Sequence, residues 1–262
     1  MNSKSIILLW VVLSLSFSSF SQKNKKKKNR FPSYFGIVAS PVIPNNFIGK
    51  IHSVFKNESE QMTVDFHNRW GVTFGATARI GLTKLFSLET GISQVRRMYN
   101  VSVSVPDSSV QVSSKLAFIN YDIPLNGLFY IQLAEQWFMD ASLGVSLTHF
   151  PSNVQDTVLI EPKYSIAMQG WRTASTYFAV NAGVGFEYRT LKAGTFFLGL
   201  GVKVPGKEPL FGRALMKTVG TGTTFEAYKP LKAGYFTIDF KYFIPAIKLN
   251  KDKQQPNPSL IE

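Results

Sequence analysis

The last apolar segment of the chain, residues 234–244, alternates regularly between two kinds of side chain. One parity is mainly polar and includes Thr237, Asp239 and Lys241. The other parity is aromatic and aliphatic: Phe236, Ile238, Phe240, Tyr242 and Ile244. A period of two predicts a β-strand, because successive side chains of a strand point to opposite faces of the sheet.

The same alternation recurs along most of the chain. It predicts seven further strands, at residues 34–43, 70–82, 86–105, 110–131, 137–148, 177–189 and 196–204. Tight turns are expected at residues 83–85, 134–136 and 191–194. Polar segments without a clear period, expected to be long irregular loops, lie at residues 45–68, 150–175 and 205–232. The predicted topology therefore has eight strands, and its connections alternate between short and long.

The tight turn at residues 83–85 also predicts a register for the strands on either side. It places Leu82 opposite Phe86 and Arg79 opposite Glu89, so that both faces of the hairpin match. Prolines set further expectations, because proline has no backbone N–H to donate. Pro41 and Pro44 predict that pairing of the first strand ends there. Pro124 predicts a bulge or an end to regular pairing in the fourth strand.

The polar parity of these strands carries charged side chains among Gly, Ser and Thr. They are Arg79, Glu89, Asp122, Asp140, Glu187, Lys203, Asp239 and Lys241. In a soluble sandwich the apolar face would be the core, whereas in a membrane barrel it would face lipid. Strands of about ten or more residues favour a tilted membrane crossing. We therefore predict an all-β fold: a transmembrane antiparallel up-and-down β-barrel of about eight strands, with a small filled lumen.

The N-terminus predicts export. Lys4 precedes an apolar run at residues 6–15, and small residues, Ser19 and Ser21, precede the expected cleavage site. We expect a signal peptide at residues 1–21, a polybasic periplasmic linker at 22–33, the barrel at 34–245 and a polar tail at 246–262. The basic run opposes translocation, and a membrane anchor is the alternative to the signal peptide. The run could be a solvated linker or a tether to anionic headgroups.

Composition excludes several classes of function. The chain has no cysteine, which excludes disulfides and thiolate metal sites. The formal net charge is +13. A large part of that excess lies in the basic run after the signal, and no basic stripe is interleaved with aromatic residues. We therefore expect no nucleic-acid partner.

Two groups of residues are candidates for chemistry. His52 and His67 lie in the first expected loop near Asp65, Glu58 and Glu60, where either a metal site or simple solvation is possible. Solvated histidines are the expected outcome.

His149, followed by Ser152 and Asn153, resembles the His/Ser pairing of outer-membrane lipid A deacylases, but no acidic residue can be placed to orient the histidine. An interfacial position at a strand rim is expected instead. We assign no catalytic, cofactor-binding or metal-ligating residue and expect no enzyme activity.

The pattern as a whole resembles the PorT-like outer-membrane β-barrel family. The resemblance covers residues 34–245 and rests on the SFSQ end of the signal, the ARIGLTKLFSLETGIS hairpin, the YDIPL strand and the closing GYFTIDFKYFI strand. It implies an outer-membrane barrel, often of unknown activity, with a founding member linked to protein secretion and maturation. The closing strand is not the chain terminus and the polybasic run is unusual, which are departures from the family pattern.

These observations leave three functional hypotheses for a protein of the Gram-negative outer membrane. The first is a non-enzymatic barrel, structural or part of a secretion or surface assembly that its long extracellular loops contact. The second is a small gated pore in which the lumenal charges line an ion path. The third is a lipid-modifying enzyme at the rim around His149. The expected partners are outer-membrane lipids and proteins of such an assembly, and the barrel is expected to be monomeric.

Overall fold

A computed structural model of the protein describes residues 33–59, 61–106, 110–160, 164–190, 192–218 and 222–245. Residues 1–32 and 246–262, which hold the predicted signal peptide, almost all of the linker and the tail, lie outside this part of the chain. The described residues form thirteen strands: β1 Tyr34–Gly49, β2 His52–Lys56, β3 Thr63–Gly81, β4 Phe86–Val105, β5 Val110–Gln132, β6 Trp137–His149, β7 Val154–Ile160, β8 Tyr164–Arg172, β9 Thr176–Thr190, β10 Gly194–Pro205, β11 Leu210–Thr218, β12 Thr224–Leu231 and β13 Ala233–Phe243. Over the same residues, no helix is long and apolar enough to cross a membrane.

Eight of the strands close into a barrel. Their order around the ring is β1, β3, β4, β5, β6, β9, β10 and β13, and β13 pairs again with β1. All of these pairings are antiparallel, and ring neighbours follow one another along the chain. The predicted up-and-down barrel is confirmed. Closure leaves no free edge, which a barrel surrounded by lipid requires.

The tight turns after β3, β5 and β9 lie at one end of the barrel, which we call the near end. At the first turn, Leu82 N–H donates to Phe86 O at 3.1 Å. Arg79 is the register partner of Glu89, as the sequence predicts. Tyr34, at the start of β1, pairs with Arg79 and therefore also lies at the near end.

At the opposite end of the barrel, which we call the far end, the prediction of irregular loops is wrong. The three polar segments contain β2, β7, β8, β11 and β12, as well as the ends of β1 and β3. β7, β8, β11 and β12 form a four-stranded sheet. This sheet packs on a second layer made of β2 and the parts of β3, β4 and β5 that extend beyond the barrel. We call this two-layered β-sandwich the cap.

The edges of the two cap layers are also joined. Ser114 Oγ on β5 donates to Asp156 Oδ2 on β7. On the other side, Lys229 Nζ on β12 donates to Val54 O on β2 at 3.4 Å. Both contacts link outer strands of the two layers, so the cap is tied together along both of its sides.

The strand β4 shows how the barrel passes into the cap. Its inward side is polar near the turn, with Ser87 and Glu89, and becomes apolar further on, with Tyr99, Val101 and Val103 buried. Its outward side changes in the opposite sense: Phe86, Leu88 and Ile92 give way to Asn100, Ser102 and Ser104. One uninterrupted strand therefore turns its apolar side outward in the barrel and inward in the cap. The change marks the level at which lipid gives way to water as the surrounding medium.

A pair of glycines lets the cap layers approach closely. Gly170 on β8 and Gly212 on β11 are register partners. A Cβ on Gly170 would lie 2.0 Å from the ring of Phe118, and one on Gly212 would lie 2.9 Å from the ring of Phe66. Both rings are fully buried in the cap core. The glycines thus make the space that the two aromatic rings of the facing layer occupy.

The expectations set by the prolines are met only in part. β1 continues through Pro41 and Pro44 to Gly49. It pairs with β3 as far as Val42, and beyond that point it pairs only with β13. One side of β1 is therefore free of a strand partner at Pro44. At Pro124 the β4–β5 pairing is interrupted, but the same register resumes on either side, so no bulge forms.

Candidate functional site

The outer surface of the barrel is an apolar belt. Its exposed residues include Ile37, Phe74, Ile92, Leu125, Leu143, Val180, Leu200 and Phe240. Three aromatic pairs lie at its near end, and the ring centroids of each pair are close together: Phe86 and Phe129 at 5.0 Å, Trp137 and Tyr188 at 4.9 Å, and Phe196 and Tyr242 at 5.1 Å. Aromatic girdles of this kind border the hydrocarbon in membrane barrels.

Inside the near end, five charged side chains form a continuous network, which we call the near cluster. Arg79 donates to Glu89 Oε2 from Nε at 3.1 Å and from Nη2 at 2.6 Å, and its Nη1 donates to Glu187. Arg189 donates to Glu187 Oε2 from Nε at 2.8 Å and from Nη2 at 2.6 Å. Lys241 Nζ donates to the second oxygen of Glu89. Each carboxylate of the cluster is therefore held by two cations.

Aromatic rings surround the same cations. The Arg79 guanidinium lies 4.2 Å from the centroid of Phe243, and that of Arg189 lies 4.0 Å from the centroid of Phe138. Lys241 Nζ lies 4.9 Å from the centroid of Phe197. These contacts fill the space between the ion pairs and the barrel wall.

A second polar group, the far cluster, lies deeper in the lumen and centres on Asp122. Its Oδ1 accepts from Thr148 Oγ1 at 2.6 Å and from Asn120 Nδ2 at 3.0 Å. Its Oδ2 accepts from Lys203 Nζ. Tyr235 OH lies 3.5 Å from the same oxygen. Of the eight charges predicted for the lumen, six belong to these two clusters, Asp140 is also buried, and Asp239 lines the space between the clusters.

Between the two clusters lies a cavity of about 130 Å³. Its lining is rich in small and polar residues such as Ser40, Thr77, Ser93 and Ser142. The apolar core of the cap begins beyond the far cluster, on the side away from the near end, and Phe150, Tyr177 and Ala179 are buried in it. Ionic pairs close the lumen at the near end, and a packed hydrophobic core closes it at the far end.

The first group of candidate residues lies on the outer face of the cap. His52 and His67 are register partners, and their rings stack with centroids 4.1 Å apart. His52 Nδ1 lies 2.9 Å from Asp65 Oδ2. Glu58 is exposed, and Glu60 lies outside the described residues. Within the part of the chain that the structure describes, no group of three or more His, Asp or Glu is arranged to hold a metal ion.

The electrostatics of this group disfavour protonation of His67. Partial burial, the neighbouring His52 ring and the Arg69 guanidinium lower the pKa of His67 below its usual value, and the Asp65 carboxylate opposes them. Both histidines lie outside the apolar belt, on the water-facing part of β2 and β3.

In the second group, no hydrogen bond among the described residues joins His149 to Ser152 or Asn153. His149 is exposed, and its Nδ1 lies 3.0 Å from Thr176 Oγ1. Asn153 Oδ1 accepts from the backbone N–H of Arg172 at 3.0 Å. His149 lies at the last position of β6, opposite Tyr121 and Thr176, which is the strand-rim position that the sequence predicts.

The sequence did not point to the outer face of the four-stranded cap sheet, where aromatic and charged side chains gather. Phe211 and Tyr228 stack with centroids 5.4 Å apart. The Arg213 guanidinium lies 4.8 Å from the centroid of Trp171, and Arg213 Nε donates to Glu226 at 2.6 Å. Tyr228 is 60% exposed and Trp171 40%. The three aromatic residues come from three different strands, so only the tertiary fold brings them together.

No protein-family profile and no curated protein sequence matches this chain. Among solved structures, it is similar to the outer membrane protein OprG from Pseudomonas aeruginosa, with 14% identity, a TM-score of 0.48, and coverage of 84% of this chain and 99% of that one. It is also similar to the outer membrane protease OmpT from Escherichia coli, with 8% identity, a TM-score of 0.30, and coverage of 85% and 99%. An outer membrane channel from Pseudomonas putida F1 matches with 10% identity, a TM-score of 0.26, and the same coverage.

Proposed function

We propose that this protein is a non-enzymatic barrel of the Gram-negative outer membrane that holds a rigid cap at the cell surface. In this role it is a structural component of, or a partner in, a secretion or surface assembly. The observation that carries the proposal is the construction of the far end. The chain builds a packed β-sandwich there and closes the lumen with it, where a channel would leave an aqueous path.

The location follows from the belt and the topology. Outer-membrane barrels carry short turns on the periplasmic side and their longer segments outside. The near end has the short turns, so the cap would be extracellular. The predicted signal peptide and the resemblance to PorT-like barrels support the same location and a connection to secretion.

The aromatic face of the cap sheet is the part of the surface best suited to a protein partner. Exposed Trp, Tyr and Arg side chains that lie together dominate the energetics of protein interfaces. Trp171, Tyr228 and the half-buried Arg213 provide this combination on a hydrogen-bonded sheet, so binding would cost little ordering entropy.

The test is site-specific photo-crosslinking in intact cells that express the full chain. A photoreactive amino acid at Tyr228 is expected to give a discrete protein adduct that mass spectrometry identifies. The matched control places the same group at Gln111, which is exposed on the other cap layer. Failure to form an adduct at Tyr228, Trp171 and Phe211 alike would contradict the proposed docking role.

A small gated pore is the second candidate, because the lumen retains a cavity lined by small polar residues. Planar-bilayer recording of the purified chain distinguishes the pore from the non-conducting barrel. The cap role predicts no discrete conductance, whereas regular open steps would favour the pore. Mass spectrometry of membrane lipids from a His149→Ala strain tests the enzyme alternative, for which we expect unchanged lipids.

A further inference from the structure

A groove of about 460 Å³ lies on the outside of the molecule where the apolar belt ends and the cap begins. Three cationic side chains from three adjacent strands line it: Arg69 from β3, Arg96 from β4 and Lys115 from β5. Its lining includes no acidic residue. All three cations are exposed, and no carboxylate of the described residues forms an ion pair with any of them.

A β-bulge creates this arrangement. The β3–β4 register shifts between Arg69 and Val72, so that Trp70 and Gly71 lie opposite Arg97 alone. The parity of β3 therefore changes at this point, and two successive side chains, Arg69 and Trp70, are both exposed. Trp70 is 64% exposed. The bulge thus places an interfacial aromatic ring next to a cation.

The register fixes the level of the cations relative to lipid. Arg96 lies between Val72 and Ile119, which are 40% and 38% exposed members of the belt. Arg69 pairs with Met98 one step further from the near end, and Lys115 pairs with Asn100 beyond it. The cations therefore rise stepwise from the edge of the hydrocarbon into the headgroup layer.

We infer that this groove binds the phosphorylated headgroup of a lipid in the leaflet on the cap side, with the acyl chains lying along the belt below. Arginine forms forked, charge-assisted hydrogen bonds with phosphate oxygens. Basic residues at this depth attract anionic headgroups, and Trp70 anchors at the same interface. The inference rests on the membrane-spanning position of the barrel and does not depend on any partner of the cap.

Native mass spectrometry of the delipidated full chain in detergent tests the inference. The probe is lipid A carrying both phosphates, and the comparison ligand is the same lipid after dephosphorylation. We expect one bound lipid A per chain, with affinity at least about tenfold higher than for the dephosphorylated form. The combined Arg69→Gln, Arg96→Gln and Lys115→Gln variant is expected to lose at least about tenfold in affinity.

The matched control removes three exposed lysines elsewhere, through Lys50→Gln, Lys207→Gln and Lys217→Gln, and is expected to bind like the wild type. Both variants are checked for a heat-dependent shift in gel mobility, which reports the closed barrel. Arg96→Lys keeps the charge but loses the forked geometry, so its affinity should lie between that of the wild type and that of Arg96→Gln. Equal affinity for the two lipid forms, or wild-type affinity in the Arg96→Gln and triple variants, would overturn the inference.

Discussion

Arg79 on β3 donates two hydrogen bonds to one carboxylate oxygen of Glu89, its direct cross-strand partner on β4. Both side chains are almost completely buried in the lumen. The pair is the centre of the near cluster, since Glu187 holds the third arginine nitrogen and Lys241 holds the second glutamate oxygen. Buried charges of this kind are stable only as a complete set.

Removing one member should therefore destabilise the barrel strongly. We expect Arg79→Gln to lower the free energy of unfolding by about 3–5 kcal/mol, because two carboxylates lose a buried cation. Urea unfolding in detergent micelles measures this change in the free energy of unfolding. Arg213→Gln is the control, since its pair with Glu226 is partly exposed and is worth at most about 1 kcal/mol. Equal losses in the two variants would contradict the role of burial.

Two equally exposed leucines distinguish lipid from water around the molecule. Leu143, at the middle of β6, is 65% exposed on the belt, and Leu159 on β7 is 67% exposed on the cap. Leu143→Arg should cost about 2–4 kcal/mol in folding into vesicles, because the charge enters hydrocarbon. Leu159→Arg should change stability by less than about 0.5 kcal/mol. The two variants would behave alike if the belt faced water.

The glycine pair of the cap gives a packing prediction. Gly170→Ala places a methyl group against the ring of Phe118, and overpacking of this kind costs about 1–3 kcal/mol. We expect faster proteolysis of the cap strands while the heat-dependent mobility shift of the barrel persists. Adding Phe118→Leu should restore resistance. Gly206→Ala is the control, since its new methyl group would meet only an ordinary contact of 3.4 Å.

The histidine pair of the cap gives a pH prediction. Since the folded state lowers the pKa of His67, the unfolded chain takes up this proton at higher pH than the folded chain does. Acidification through the usual histidine range should therefore remove a small part of the stability. NMR titration should show His67 titrating below 6.5. Arg69→Gln should raise its pKa and Asp65→Asn should lower it further, and shifts of the opposite sign would refute the assignment.

The barrel was predictable from sequence because its signals are local. Each membrane strand alternates over ten or so residues, and a tight turn fixes the next register, as it does for Arg79 and Glu89. The inward position of the lumenal charges follows from parity alone. Parity does not predict which charges form pairs, since the Arg79–Glu187 and Lys203–Asp122 contacts join residues far apart in sequence.

The cap was missed for two physical reasons. The bulge at Trp70 and Gly71 changes which parity of β3 faces inward, so Val64 and Phe66 are buried in the cap although they share the sequence parity of the outward-facing Val72 and Phe74. The short strands are also poorly patterned: β8 turns Gly170 inward and Trp171 outward, which hides its alternation. Its partner β11 lies about forty residues away in sequence, so no local turn predicts that the two strands pair.

Three strands run without a chain break from the membrane into the cap, with 19 residues in β3, 20 in β4 and 23 in β5. At roughly 3.3 Å per residue, β5 alone extends over about 75 Å. A molecule that pulls on the cap would load these strands along their length, and the tension would be shared by the many backbone hydrogen bonds of the β3–β4–β5 ladder. The geometry therefore predicts that force applied to the cap is transmitted along these strands directly to the wall of the barrel.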